Sequence, residues 1–221
     1  FDTVRIYDCG DVGVSTFPLW LWNEAGTMIL DSCNTADLDL RDPDDFCQDG
    51  LALFGQVENE EGLDVIGVEV SITNESMQPD TTDLRGEYLI EGLSEGTGYN
   101  IAPFDDLNHR EGVSTLDLVM IQKHLLGKAK LNSPYKIIAA DANKSGHLTA
   151  LDLLEIRKLI LGINTRFPNN TSWRFVDRDY SFADPYNPFE QPFPESIWVD
   201  SVTGGVDTAN FVAVKIGDVN G

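Results

Sequence analysis

The sequence predicts a mostly β chain with a small α-helical part, laid out in four consecutive segments. Three observations carry this. Val68, Val70 and Ile72 alternate with Glu69 and Ser71, the period-two pattern of a strand with one buried face. Apolar residues at helical spacing recur in two similar stretches, Leu118, Ile121, Leu125 and Leu153, Ile156, Ile160. Beyond residue 164 the chain turns rich in aromatics and in proline (Pro185, Pro188, Pro192, Pro194), which argues against helix because proline lacks an amide donor and clashes with the preceding turn.

Residues 1–48 hold short strand-like runs, TVRIY, TFPLWLW and TMILDSC, with NEAG as a turn between the last two. Residues 49–104 read as a complete small β-sandwich. LFGQVENEEGLDVIGVEVSITN gives strand, acidic turn, strand, and TTDLRGEYLIEGLSEGTGYNIAPF gives three more strands separated by turns. Residues 105–163 carry the two helices, each ending at a glycine, Gly127 or Gly162. Ser133-Pro134 is a helix-start signal, so YKIIAAD is expected to be a short helix leading into the loop after it. Residues 164–221 read as an irregular β appendage packed on the loop–helix unit, with SIWVD and NFVAVKIGD as its strands.

The loop before the second helix, DANKSGHLTALD (141–152), has the chemistry of a hard-cation site. Calcium takes six to eight oxygen ligands, and a twelve-residue loop supplies them from positions 1, 3, 5, 7, 9 and 12, with glycine at 6 for a sharp turn. Asp141, Asn143 and Ser145 fill the first three of these positions, Gly146 is the turn, His147 offers a backbone carbonyl, and Asp152 closes the loop. A shift of 35 residues places DLNHREGVSTLD (106–117) on the same frame. Asp106, Asn108, the Gly112 carbonyl and Asp117 are its candidate ligands, with Asp105 an alternative to Asp106. This first loop is irregular. Arg110 stands at position 5, Glu111 replaces the glycine, and Gly112 comes one place late. A cation there must turn outward or the loop must rearrange. The chain ends in GDVNG, which reads as the opening of another such loop, so that Asp218 and Asn220 belong to a truncated third loop, supplement the first, or form only a polar turn.

The two loop–helix units resemble the dockerin family over roughly 105–163. The resemblance implies paired calcium loops closing on Asp, one calcium at the second loop with a second at the first left open, and a cohesin-type receptor as possible partner. Recognition positions of that family would fall on Thr115, Gln122 and Lys123 in one half and on Ala150, Arg157 and Lys158 in the other. The pattern DCGDVG…LWLWNEAG…C resembles the later strands of hyalin-repeat domains, implying an immunoglobulin-like half-sandwich. Gly86-Glu-Tyr88 and Tyr99-Asn-Ile101 resemble carboxypeptidase-regulatory-like modules, implying a transthyretin-like sandwich without an active site.

Composition bounds the partners. The 221 residues carry 37 acidic against 15 basic side chains, a formal charge of −22, which argues against nucleic acid and anionic membrane, since both need a basic face. No apolar run approaches the ~20 residues of a membrane span. The chain starts at Phe1 without an initiator Met, as a processed or excised piece would. Its three histidines, His109, His124 and His147, lie in the two loops and on a repeat helix, and no HExxH, GxSxG or phosphate-loop pattern occurs. Trp20, Trp22, Trp173 and Trp198 are candidates for a sugar platform, although aromatics in β proteins more often fill cores. Among Cys9, Cys33 and Cys47 a Cys9–Cys33 disulfide is favoured over the two other pairings. Thr3, Ser201 and Thr208 sit in Asp-Ser/Thr-aliphatic tripeptides and Asn74 and Asn170 in N-glycosylation sequons, so all five are modification candidates.

These features predict a non-enzymatic, calcium-stabilised extracellular or cell-surface protein. Residues 9–48 supply three or four strands where an immunoglobulin-like sandwich needs about seven. The strand-like FDTVRIYD at the start would complete a neighbouring copy, making a head-to-tail homopolymer by donor-strand complementation. The alternatives are a dockerin module docking on a cohesin-type receptor and an accessory region of a secreted enzyme.

Overall fold

The computed structural model describes residues 51–200 and 206–221, together with the backbone of a hairpin at 21–22 and 28–30. In that hairpin β1 (Leu21–Trp22) pairs antiparallel with β2 (Met28–Leu30). The proposed donor strand 1–8, the three cysteines, Thr3 and Ser201 lie outside the described residues.

Two sheets enclose one apolar core. The first contains β3 (Leu51–Asn59), β6 (Glu87–Leu93), β8 (Trp173–Asp177), β10 (Val206–Thr208) and β11 (Phe211–Lys215). The second runs in the order β5 (Asp80–Thr81), β4 (Glu69–Ile72), β7 (Tyr99–Phe104), β9 (Ile197–Val199). The expected alternation holds: Val68, Val70 and Ile72 point into the core, as do Leu53 and Val57 of β3 and Tyr99 and Ile101 of β7. Thr82 ties the edge by accepting from the Val68 amide at 2.9 Å and donating to the Val65 carbonyl at 2.8 Å.

The last segment is placed differently from the expected appendage. Strands β8 to β11 enter both sheets of the sandwich that 51–104 begins. β3 has β6 antiparallel along one edge, and along the other it takes β10 and then β11 in parallel, Ala52–Phe54 against Val206–Thr208 and Val57–Asn59 against Phe211–Ala213. β9 likewise covers the open edge of β7. The physical reason is edge satisfaction: 51–104 alone leaves rows of unpaired backbone groups, which another strand of the same chain covers. Tyr88 anchors the arrangement. Its buried hydroxyl donates to the Ala209 carbonyl at 2.5 Å, and burial pushes the phenol well above its ordinary pKa. Gly55 is obligatory here, because a β-carbon would collide with both the Tyr88 ring and that carbonyl.

Three helices follow the expected segments: α1 (Thr115–Leu125), α2 (Pro134–Ala140) and α3 (Ala150–Ile160). Ser133 caps α2 by accepting from the Tyr135 amide at 3.1 Å, with Pro134 at the first turn where a missing amide costs nothing. Gly127 and Gly162 take φ of 64° and 69° just past α1 and α3, the left-handed stop that favours glycine. Ile121 and Ile156 are fully buried where α1 and α3 pack.

β11 joins the two halves of the molecule. All five of its residues are buried. Phe211 and Ala213 face the sandwich core, while Val214 faces a second core made with the helices, Phe167 and the aromatic stretch 180–193. A continuous apolar run buried on both faces is what such a central strand requires. Beyond it the Gly217 amide donates to the Ala139 carbonyl at 2.8 Å, which brings the chain end beside the start of the second loop.

Candidate metal centre

The second loop is held by its own carboxylates. Asp141, fully buried at the end of α2, accepts from the Ser145 amide on Oδ1 at 2.9 Å and from the Gly146 amide on Oδ2 at 2.8 Å. Lys144 and Gly146 take positive φ (56° and 75°), which wraps the chain around that carboxylate. Asp152, also fully buried, closes a capping box with Thr149 at the start of α3 and accepts from the Asn143 amide on Oδ1 at 3.2 Å. Burial raises the Asp152 pKa, and the neighbouring Asp141 charge adds to the rise. The Ser145 hydroxyl donates to the His147 carbonyl at 3.0 Å. One atom is left over: the Asn143 Oδ1 is buried with no hydrogen-bond partner. A buried amide oxygen without a donor is costly, and a cation between two carboxylates resolves both faults. Hydrogen bonds link Asp141 to Ser145, Ser145 to His147 and Asn143 to Asp152, so the five residues offer carboxylate, amide, hydroxyl and carbonyl oxygens, the donor types that calcium takes. Among the described residues no three His, Cys, Asp or Glu side chains cluster. That accords with a frame of two carboxylates completed by amide, hydroxyl and carbonyl oxygens.

The first loop is built differently. Asp117 repeats the role of Asp152: it is fully buried and closes a capping box with Ser114, whose amide and hydroxyl both donate to its Oδ2 at 2.8 Å. Asp106 does not repeat Asp141. Its Oδ1 accepts from the Ser172 amide at 3.0 Å and its Oδ2 pairs with Arg166. The His109 Nε2 lies 2.9 Å from Asp106 Oδ1, and burial lowers the imidazole pKa against the pull of that carboxylate. Asn108 is exposed, with φ of 50°, and its carbonyl accepts from the Lys215 ammonium at 2.8 Å. Lys215 also donates to the Ser172 hydroxyl at 2.6 Å, and burial pulls its pKa down to about 8. Arg110 is turned outward, as its charge requires. Asp106 and Asn108 thus carry contacts to two cationic side chains, Arg166 and Lys215, that Asp141 and Asn143 of the second loop do not have.

Asp117 has other company. Its Oδ1 accepts from the Val219 amide at 2.8 Å. Asp218 lies beside it, and burial first, then the Asp117 charge, raise the Asp218 pKa. A β-carbon at Gly112 would strike the Asp218 carboxylate.

Two modification candidates change their reading. Asn170 is buried; its amide nitrogen donates to the Asp141 carbonyl at 2.9 Å, so it braces the second loop and has no room for a glycan. Asn74 is exposed but uses its side chain to bridge the Gly98 carbonyl and the Asn100 amide. Thr208 is exposed on β10. Trp173 packs against the sandwich core, and Trp198 is exposed on β9.

Residues 105–161 match the family model of the dockerin type I domain, about a quarter of the chain. Dockerin type I domains are calcium-binding, non-catalytic modules of extracellular and cell-surface proteins, and the matched span covers both loops and all three helices. No curated protein and no solved structure matches the chain. No helix among the described residues is long and apolar enough to cross a membrane.

Proposed function

We propose that the chain is a calcium-stabilised extracellular docking module whose α1 and α3 present a binding face to a cohesin-type receptor. The supporting observation is an exposed apolar pattern repeated at the 35-residue shift. Leu116 and Leu151 are 54% and 61% exposed, Val119 and Leu154 are 44% and 43%, and Leu126 and Leu161 are 63% and 66%. Large apolar side chains paired in this way on two helices are not explained by the core, and clustered exposed apolar residues mark interaction surfaces. Thr115, Gln122 and Lys123, with Ala150 and Arg157, are exposed around them; Lys158 is half-buried and bonded to Glu155 at 2.8 Å. Calcium, held by the second loop's five residues, fixes the start of α3 and so sets the pose of this face.

The polymer reading rests on residues 1–48, of which only a short hairpin backbone is described, whereas the family match supports docking. Calorimetry against a panel of cohesin-type domains tests the proposal. Binding is expected, with Leu116→Glu plus Leu151→Glu weakening it at least tenfold and chelation of calcium abolishing it. Failure to bind any member of the panel, or binding unchanged in the double variant, overturns it.

A further inference from the structure

We propose that the first calcium site is split along the chain, with Asp218 and Asn220 of the terminal GDVNG taking the leading ligand positions that Asp106 and Asn108 hold by sequence. This rests on reading 105–161 as calcium-binding. The two loops share their closing half and differ in their opening half. Asp117 and Asp152 are both fully buried and both close a capping box. In the second loop the free oxygen of the closing Asp accepts from Asn143, within the opening segment Asp141–Asn143. In the first loop the Asp117 Oδ1 accepts from Val219, one place earlier in the matching frame but within Asp218–Asn220, and not from the local Leu107 or Asn108.

The terminal segment shares the spacing of the second loop's opening, with Asp at its first ligand position and Asn at its third. Gly217-Asp-Val-Asn-Gly221 aligns with Ala140-Asp-Ala-Asn-Lys144. Val219 and Ala142 are both buried, at 1% and 0% exposure. Gly221 falls where Lys144 adopts its positive φ, a position glycine takes without strain. Asp218 Oδ1 accepts from the Asn220 amide at 3.1 Å and the Gly221 amide at 2.9 Å, two and three residues on, where Asp141 accepts from amides four and five residues on. The cradle is closely fitted: a β-carbon at Gly221 would meet Asp218 Oδ2 at 2.5 Å, and Gly112 admits none. The amide of Gly217 on the Ala139 carbonyl sets the two openings side by side.

The composite donor set is the Asp117 and Asp218 carboxylates, the Asn220 amide oxygen and the Gly112 carbonyl, all hard oxygen ligands suited to calcium. Meanwhile the sequence-local Asp106 is committed to Arg166 and the Ser172 amide. The opening Asp106 and Asn108 are then released to Arg166 and Lys215, since their ligand positions are supplied from more than a hundred residues away.

Calcium stoichiometry by native mass spectrometry, with affinity by calorimetry, tests this on the full chain. Two calcium ions are expected in the unmodified protein and in Asp106→Ala, and one in Asp218→Ala. Asp218→Asn keeps the shape and hydrogen-bond acceptor, so should folding suffer in the first variant, the second is expected to weaken one site at least tenfold while the other keeps its affinity. Loss of a calcium from Asp106→Ala but not from Asp218→Ala overturns the split site. So does a single calcium in the unmodified protein, which would leave the Lys215 ammonium as that loop's resident cation. No calcium in the unmodified protein, or two retained in Asp141→Ala with Asp152→Ala, overturns the underlying calcium reading and with it this proposal.

Discussion

The two loop–helix units share helix caps, closing carboxylates and terminal glycines, yet one loop is self-contained and the other is open to the rest of the chain. In the second, the candidate oxygen donors lie within twelve residues, and the loop is braced from outside by Asn170 on the Asp141 carbonyl and by the Lys144–Glu195 pair. In the first, Ser172, Arg166, Lys215 and Val219 all reach into the loop from the last sixty residues. A duplicated element can therefore keep its structural half, the capped helix start, while its opening half takes its contacts from distant sequence. The consequence is a difference in what each loop depends on: the second on its own carboxylates, the first on the docking of the chain's end.

The largest expected effect separates the two at once. Asp141→Ala combined with Asp152→Ala should abolish most of the calcium-dependent rise in melting temperature. A ligand that binds only the folded state stabilises it by about 2.7 kcal/mol at a hundredfold excess over its dissociation constant. Melting scanned with and without calcium measures this; an unchanged rise would show that the self-contained loop is not the principal site.

A smaller effect comes from a residue that only the first unit has. His124 sits at the end of α1, where the shifted position in α3 is the buried Leu159. Its Nδ1 accepts from the Leu131 amide at 2.9 Å, holding the connection to α2. Burial, helped by Lys130, lowers its pKa, so the unfolded chain takes up the proton first. The stability this group supports is fully present above the ordinary imidazole value of ~6.5 and is lost as pH falls through the lowered folded value. His109 is lowered too, chiefly by burial against the opposing Asp106 charge, and acts in the same direction. Melting temperature should fall on acidification, and His124→Gln should flatten part of that slope, by no more than the ~1 kcal/mol net worth of one hydrogen bond. An identical slope in the variant would mean that His124 does not link folding to pH.

Much of this architecture was legible in sequence because its signals are local. The period-two run at 68–72, the Ser133-Pro134 start, the glycine stops and the frame of the second loop all became the elements they implied. The parallel pairing of β3 with β10 and β11 was not legible, because partners some 150 residues apart leave no pattern in either strand. FVAV did carry a trace: four consecutive apolar residues imply a strand covered on both faces, which an appendage would not need. Asn170 shows the opposite failure. Its tripeptide is a sequon, but a short motif carries no information on burial, and the fold uses the amide as a brace.

The smallest effect asks whether the first loop's own carboxylate is held away from the metal only by its surface partner. Arg166 is 64% exposed and pairs with Asp106, so the pair is screened by water and the two side chains are costly to order. Arg166→Ala should cost between zero and about 1 kcal/mol, the range for exposed ion pairs. It should also leave calcium affinity unchanged, because the Ser172 amide still holds the Asp106 Oδ1 and Lys215 still occupies the Asn108 carbonyl. Chemical denaturation with and without calcium measures both quantities. A gain in calcium affinity on removing Arg166 would mean that Asp106 swings back to its sequence-local role once freed. The asymmetry between the loops would then be a matter of one surface contact and not of the way the chain's end is built into the fold.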